Sequence, residues 1–264
     1  MAMTIPEVRR LCVARGIALP DLRAAAAVPY GNRHGAVPVT TVDGTPVYAG
    51  VLAGVDAFRL WSDLRTLHGL TGWWPVLAGD PEDLGGLLTG LTPQFAPPSG
   101  RPDTGVPDGR ELLSGWGDWE LSAPRVTSLA ARLAGDVDLD QVGGTYISAI
   151  HQERTTLCLV RAVHGYHVPA LLNWAGACNH DITGAQHGAV LRYFHEQYGA
   201  ELVTLQEGVM ELLVGRRPRT PEGVARAALE QCAYCPDIVD QGVGGIEELA
   251  RTQVLGGSWY FWWD

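Results

Sequence analysis

Apolar and polar positions recur along this chain in two periods, and the switches between them predict its elements. The run PVYAGVLAG, from Pro46 to Gly54, is apolar and β-rich. In the following DAFRLWSDLRTLHG, Phe58, Trp61, Leu64 and Leu67 recur every three residues with polar residues between, the mark of an amphipathic helix. WWPVLAGD, from Trp73 to Asp80, predicts a second strand and completes a β-α-β unit. Ahead of it lie a short charged helix and an alanine-rich stretch, and Asp21 to Ala27 is a candidate continuation of that helix.

The second half carries the clearer pattern. TTLCLVRAV (Thr155 to Val163) predicts a strand, and a loop through NWAGACNHDITG leads to a helix with Val190, Leu191, Phe194 and Tyr198 on one face. AELVTLQ and VMELLVGR predict a hairpin turning at Glu207 and Gly208. Thr220 as N-cap and Pro221 at the first helical position open a helix with the apolar stripe Val224, Ala228 and Cys232. IEELARTQ predicts a short further helix, and SWYFWWD a final strand. The resulting order, β-α-β-β-α-β, is that of an α+β, ferredoxin-like (split β-α-β) domain. Trp259, Phe261 and Trp263 alternate with Tyr260 and Trp262, so both faces of the last strand are apolar, which predicts a central strand covered on each side. A faint echo between Asp56 to Leu77 and His187 to Leu205, each a helix ending in glycine before an apolar strand, reads as shared architecture.

Proline and glycine between these halves divide the chain. TPQFAPPSGRPDTGVPDG, Thr92 to Gly109, sustains neither helix nor ladder. The organisation expected is an amino-terminal α/β unit over 1–91, a linker or long surface loop over 92–110, a helical connector over 111–150 and a carboxy-terminal α+β domain over 151–264.

Composition narrows the chemistry. Hydrophobic residues make up 46% and charged residues 18%, the balance of a chain that folds. The formal net charge is −10, and all 19 basic residues are arginine. An acidic chain is repelled by phosphate backbones and anionic lipid unless its charge is strongly segregated, so neither nucleic acid nor membrane is expected as a partner. Lacking lysine, it cannot form a lysine Schiff base or a lysine P-loop. Arg9 and Arg10 fall where a signal peptide would be apolar, which makes the cytoplasm the expected location. Five cysteines are too few and odd in number for a disulfide framework, and read as reduced thiols.

Several pieces together resemble a known family. LLNWAGACN, HGAVLRYFHEQYGAELV, MELLV, RRPRTPE, AYCPDIVDQG and WYFWWD, in that order, are similar to the uncharacterised domain-of-unknown-function family numbered forty-two fifty-three, over roughly Thr155 to Asp264. The resemblance implies that Tyr234, Cys235, Pro236, Asp237 and the aromatic terminus belong to a family pattern. It supplies no activity and no ligand residues. Cys232 is not part of that pattern.

Candidate chemistry centres on two segments. Cys178 and His180, on the loop before one helix, and Cys235 and Asp237, at the end of another, converge if that loop meets that helix end, and Asn173 joins them. The enzyme reading takes Cys178 or Cys235 as nucleophile, His180 as base and Asp237 as orienting acid in a small-molecule hydrolase or transferase. Asn173, Trp174, Tyr234, Asp240 and Trp262 are the candidate binding residues around this point. No metal and no cofactor are expected: the paired CxxC signature of a zinc site is missing, and the stripe turns Cys232 toward the core. His164 and His167 in HGYH could pair as ligands but lack an acidic neighbour within a helical turn, and HEQYG at His195 lacks the second histidine of a zinc protease. With no complete catalytic motif, the first reading is a non-catalytic binding or interaction module with a protein or small-molecule partner. The discriminating feature is thiol exposure: a thiol open to solvent beside His180 favours the enzyme, a buried one the binding module.

Overall fold

The computed structural model describes residues 2–27, 37–80, 105–117, 121–135, 139 and 144–264. It is a mixed α+β structure built on a seven-stranded, mostly antiparallel sheet. In chain order the strands are β1 (Arg23–Ala24), β2 (Ala26–Ala27), β3 (Val37–Pro38), β4 (Tyr48–Ala53), β5 (Trp73–Leu77), β6 (Arg154–Arg161), β7 (Ala200–Leu205), β8 (Val209–Val214) and β9 (Ser258–Trp262). The helices are α1 (Ile5–Ala14), α2 (Gly54–Thr71), α3 (Gly109–Trp116), α4 (Ala123–Leu133), α5 (Val168–Leu171), α6 (Gly184–Tyr198), α7 (Pro221–Tyr234) and α8 (Ile246–Leu249). Two π-helical turns, Ile238–Val243 and Ala250–Val254, flank α8.

The sheet order is β1-β4-β6-β5-β7-β8-β9. Both β4 and β5 run antiparallel to β6, which lies between them. The unit β4-α2-β5 is therefore itself a β-α-β split by one strand. This corrects the ferredoxin-like order expected for the carboxy-terminal part, because β5 takes the place beside β6 and β9 pairs with β8 instead. Strands from both halves of the chain share the sheet, so the positions near 91 and 150 do not separate two sheets. The echo between the halves has a structural counterpart: α2 and α6 each end on a left-handed glycine, Gly72 and Gly199, and the strands that follow, β5 and β7, are parallel neighbours.

Two further expectations are corrected. Asp21 to Ala27 does not extend α1; α1 ends by Arg15, and the alanine-rich stretch supplies β1 and β2. The last strand is an edge strand, covered on one face. Trp259, Phe261 and Trp263 are buried while Tyr260 is exposed and Trp262 half-buried. Its free edge is blunted by side chains, since Gln253 Oε1 accepts from the Tyr260 N–H (3.1 Å) and the Cys235 thiol donates to the Trp262 carbonyl (3.0 Å). Of the expected linker, residues 92–104 lie outside the described residues, and its last two residues belong to α3, which Asp108 caps by accepting from Glu111 N at 2.9 Å.

One seam of the sheet is irregular. β5 and β7 pair at Leu77 and Thr204, and β7 shifts register between Leu202 and Thr204. Pro75, lacking an N–H, cannot extend that ladder. Tryptophan indoles bridge the opening instead: Trp74 Nε1 donates to Leu202 O (3.0 Å) and Trp61 Nε1 to Pro75 O (3.0 Å).

Candidate functional site

The loop before α6 meets the end of α7, as the two candidate segments require. Thr183 caps α6 in a capping box with Gln186, which fixes the turn Cys178–His180 just ahead of it. His180 Nε2 donates to Asp237 Oδ2 at 2.9 Å. The same oxygen accepts from the Asp264 backbone N–H at 3.0 Å, and Asn179 Nδ2 donates to Asp264 O at 2.7 Å. The carboxy terminus is thus latched to both segments.

The thiols are placed differently from the sequence expectation. Cys235 is fully buried, and burial pushes its thiol up to about 12. It stays protonated and donates to a carbonyl, the state of a structural thiol and the opposite of an activated nucleophile. Cys232, expected in the core, is half-buried, while Cys235, at the cap where the backbone leaves the helix, is buried. The Cys178 side chain lies outside the described residues. Among the described residues, no group of three histidine, cysteine or acidic side chains is placed to hold a metal ion.

The proposed binding residues do not form one surface. Trp174 is buried and its Nε1 donates to Gln206 O at 2.9 Å. Tyr234 is buried with its hydroxyl 2.6 Å from His187 Nδ1. Trp174, Tyr234 and Trp263 enclose His187, with ring centroids 4.7, 5.5 and 5.2 Å away, and burial pushes this imidazole down to about 3. Asn173 is buried with a positive φ of 49°, Asp240 is exposed, and Trp262 is half-buried. Trp174 and Tyr234 are therefore core, packed behind the corner that His180 and Asp237 close.

Open space lies elsewhere, on either side of the HGYH turn. A cavity of about 350 Å³ occupies the β5–β7 seam, where Arg65, Trp74, His195 and Glu201 face it. Arg65 Nε donates to Glu201 Oε2 at 2.8 Å, and its guanidinium lies 5.6 Å from the Trp74 ring. A larger cavity, about 560 Å³, is bounded by the start of α3, by α6 and by α7. Tyr166 borders both. The turn is held down by Gly165: a Cβ there would sit 2.3 Å from the Trp74 ring, so only glycine lets the backbone lie on that indole. Sequence reasoning weighed His164 and His167 as ligands and passed over Tyr166 between them. It also missed Arg110, Arg192 and Arg226, which line the larger cavity from three different helices.

Residues 156–264 match the family model of a domain of unknown function, DUF4253. This is the family that the motifs point to, and its description carries no activity. The matched segment contains the latch, both histidines of HGYH, Arg192 and Arg226, while Arg110 and α3 lie before it. Nothing among curated proteins or solved structures matches the chain. No described helix is long and apolar enough to cross a membrane.

Proposed function

We propose that the protein is a non-catalytic binding module whose ligand region is the pair of cavities on either side of Tyr166. The observation that carries this reading is the contrast between those cavities and the cysteine corner. Volumes of about 560 and 350 Å³ adjoin at one aromatic side chain and fall in the range of small-molecule sites, whereas the Cys235 thiol is sealed in the core. A small-molecule partner fits this geometry better than a protein partner, since the polar groups converge on concave space. The enzyme reading keeps one support, the His180–Asp237 pair at 2.9 Å, which has the distance of a base held by an orienting acid. With Cys235 excluded as nucleophile, that reading rests on Cys178 alone.

Thermal unfolding of the full chain against a panel of small molecules tests the choice. Ligand present at a hundred times its dissociation constant adds about 2.7 kcal/mol of stability, a shift readily measured. The binding reading expects stabilising compounds whose effect is lost in Tyr166→Ala. Ester or amide hydrolysis that disappears in Cys178→Ser and in His180→Asn, with no stabilising compound found, would replace it with the enzyme reading.

A further inference from the structure

We propose that the larger cavity binds a small phosphate-bearing molecule, held by the guanidinia of Arg110, Arg192 and Arg226. This deepens the binding reading above and rests on it. In a chain of net charge −10, three arginines from α3, α6 and α7 face one concavity of about 560 Å³. Set against the two rim carboxylates of Asp108 and Glu196, they leave a local positive excess, which is what lets an acidic protein attract an anion. Gly109 makes the convergence possible: a Cβ there would lie 2.3 Å from Ala189 O, so the first turn of α3 closes onto α6 and brings Arg110 to the rim.

A buried acid explains why Arg110 and Arg226 gather here without a direct ion pair. Glu230, on α7, lies behind the cavity wall, where burial raises its carboxyl above the usual range. Its two oxygens are each taken by a phenol, Oε1 from Tyr193 (2.7 Å) and Oε2 from Tyr198 (2.6 Å). Arg110 and Arg226 act on Glu230 through space, and both also lower the Tyr193 hydroxyl against its burial and the nearby carboxylate. Among the described residues neither makes an ion pair within 4.0 Å. The acids at the rim have other tasks: Asp108 caps α3, and Glu196 Oε1 accepts from Arg192 Nε at 3.0 Å.

The chemistry of the donors selects the ligand class. A guanidinium presents five donors in a planar fork that matches phosphate and carboxylate oxygens. A terminal phosphate offers three strong acceptor oxygens and close to two negative charges, so it can engage three converging forks where one carboxylate cannot. A phosphate alone fills a small part of the cavity. The remainder leads toward Tyr166 and His167, which suits an organic body carrying the phosphate.

Calorimetric titration of the full chain with inorganic pyrophosphate tests this, with citrate as the carboxylate counterpart and sodium chloride matching ionic strength. Saturable pyrophosphate binding is expected, weakened tenfold or more in Arg110→Ala and in Arg226→Ala. Arg154→Ala, at the opposite end of β6 from the HGYH turn, should bind as the parent does. Citrate binding as tight as pyrophosphate would overturn the phosphate assignment. Pyrophosphate binding that is indifferent to Arg110 and Arg226 would overturn the site. Uncharged compounds that stabilise the protein through Tyr166, with no pyrophosphate binding, would overturn this inference alone. If no compound of either kind binds, the binding reading falls with it.

Discussion

Two polar clusters meet the ends of α6 and α7, and they differ in what their atoms have left to do. At the carboxy-terminal corner, Asp237 Oδ2 accepts from His180 and from Asp264 N, Cys235 donates to Trp262 O, and the tryptophan core stands directly behind. At the arginine-lined cavity, the guanidinia of Arg110 and Arg226 point to open space, and the buried acid that draws them is satisfied by tyrosines. Convergence of titratable residues is thus not enough to mark a working site. A cluster whose bonds are made internally holds the fold, while one whose donors face a cavity is free to hold something else.

The largest test of this contrast is Trp263→Ala. Trp263 is buried at the corner, contacts Trp174, His187, Tyr234 and Phe261, and donates from Nε1 to Tyr234 O at 3.4 Å. Truncating a buried indole costs about 3–5 kcal/mol, read from chemical denaturation. A loss below about 1 kcal/mol would mean that the corner does not anchor the core.

The enclosed imidazole supplies the next. His187 titrates near 3 when folded and near 6.5 when unfolded, because burial disfavours its charged form. Below pH 6.5 the unfolded chain takes up a proton that the folded chain refuses, so stability falls by about 1.4 kcal/mol per pH unit, some ~3 kcal/mol by pH 4. Glu211 and Glu230 work the other way: burial raises both, so acidification relieves them and offsets part of the loss. Comparing the pH dependence of unfolding in the parent and in His187→Phe removes the shared carboxylate terms. The variant should lack the slope between pH 6.5 and 4, and identical slopes would show that His187 is not held neutral by its tryptophans.

Asp237→Ala probes the latch itself. It strips an acceptor from both His180 and the Asp264 N–H, and unmade bonds in a part-buried corner cost about 1–3 kcal/mol. If instead stability is unchanged and a chemical activity is lost, the corner is a catalytic site and the comparison above is inverted.

These particulars also mark what could be read from the sequence. The period of Phe58, Trp61, Leu64 and Leu67, the spacing of Val190, Leu191, Phe194 and Tyr198, and the cap at Thr220 are local signals, and they gave α2, α6 and α7. Strand order depends on which partners meet over long separations, and nothing in WWPVL says that it will lie between β6 and β7. The meeting of His180 with Asp237 was legible as a condition, since both segments lie beside the same pair of helices. The roles of the cysteines were not, because Cys235 sits at the cap where the backbone leaves the helix, and helical spacing does not say which of the two thiols is buried there. The arginine cavity left no pattern at all. Arg110, Arg192 and Arg226 are far apart in the chain, and singly each looks like a solvated surface charge.

The smallest effect should come from the cavity residues themselves. Arg110 and Arg226 are exposed and make no ion pair among the described residues, so Arg110→Gln or Arg226→Gln removes no bond from the fold. Surface substitutions of this kind stay within about 0.5 kcal/mol. One term works against neutrality: with a guanidinium gone, Glu230 loses part of the field that favours its ionised form, and its carboxyl rises further above the usual range. The phenols of Tyr193 and Tyr198 still donate to both oxygens, so no hydrogen bond of the network is broken. Denaturation midpoints at neutral pH should therefore match the parent within error, beside the several kcal/mol lost in Trp263→Ala. A loss above about 1.5 kcal/mol in Arg226→Gln would place its guanidinium in the fold, and the cavity would then be a second internal cluster like the corner.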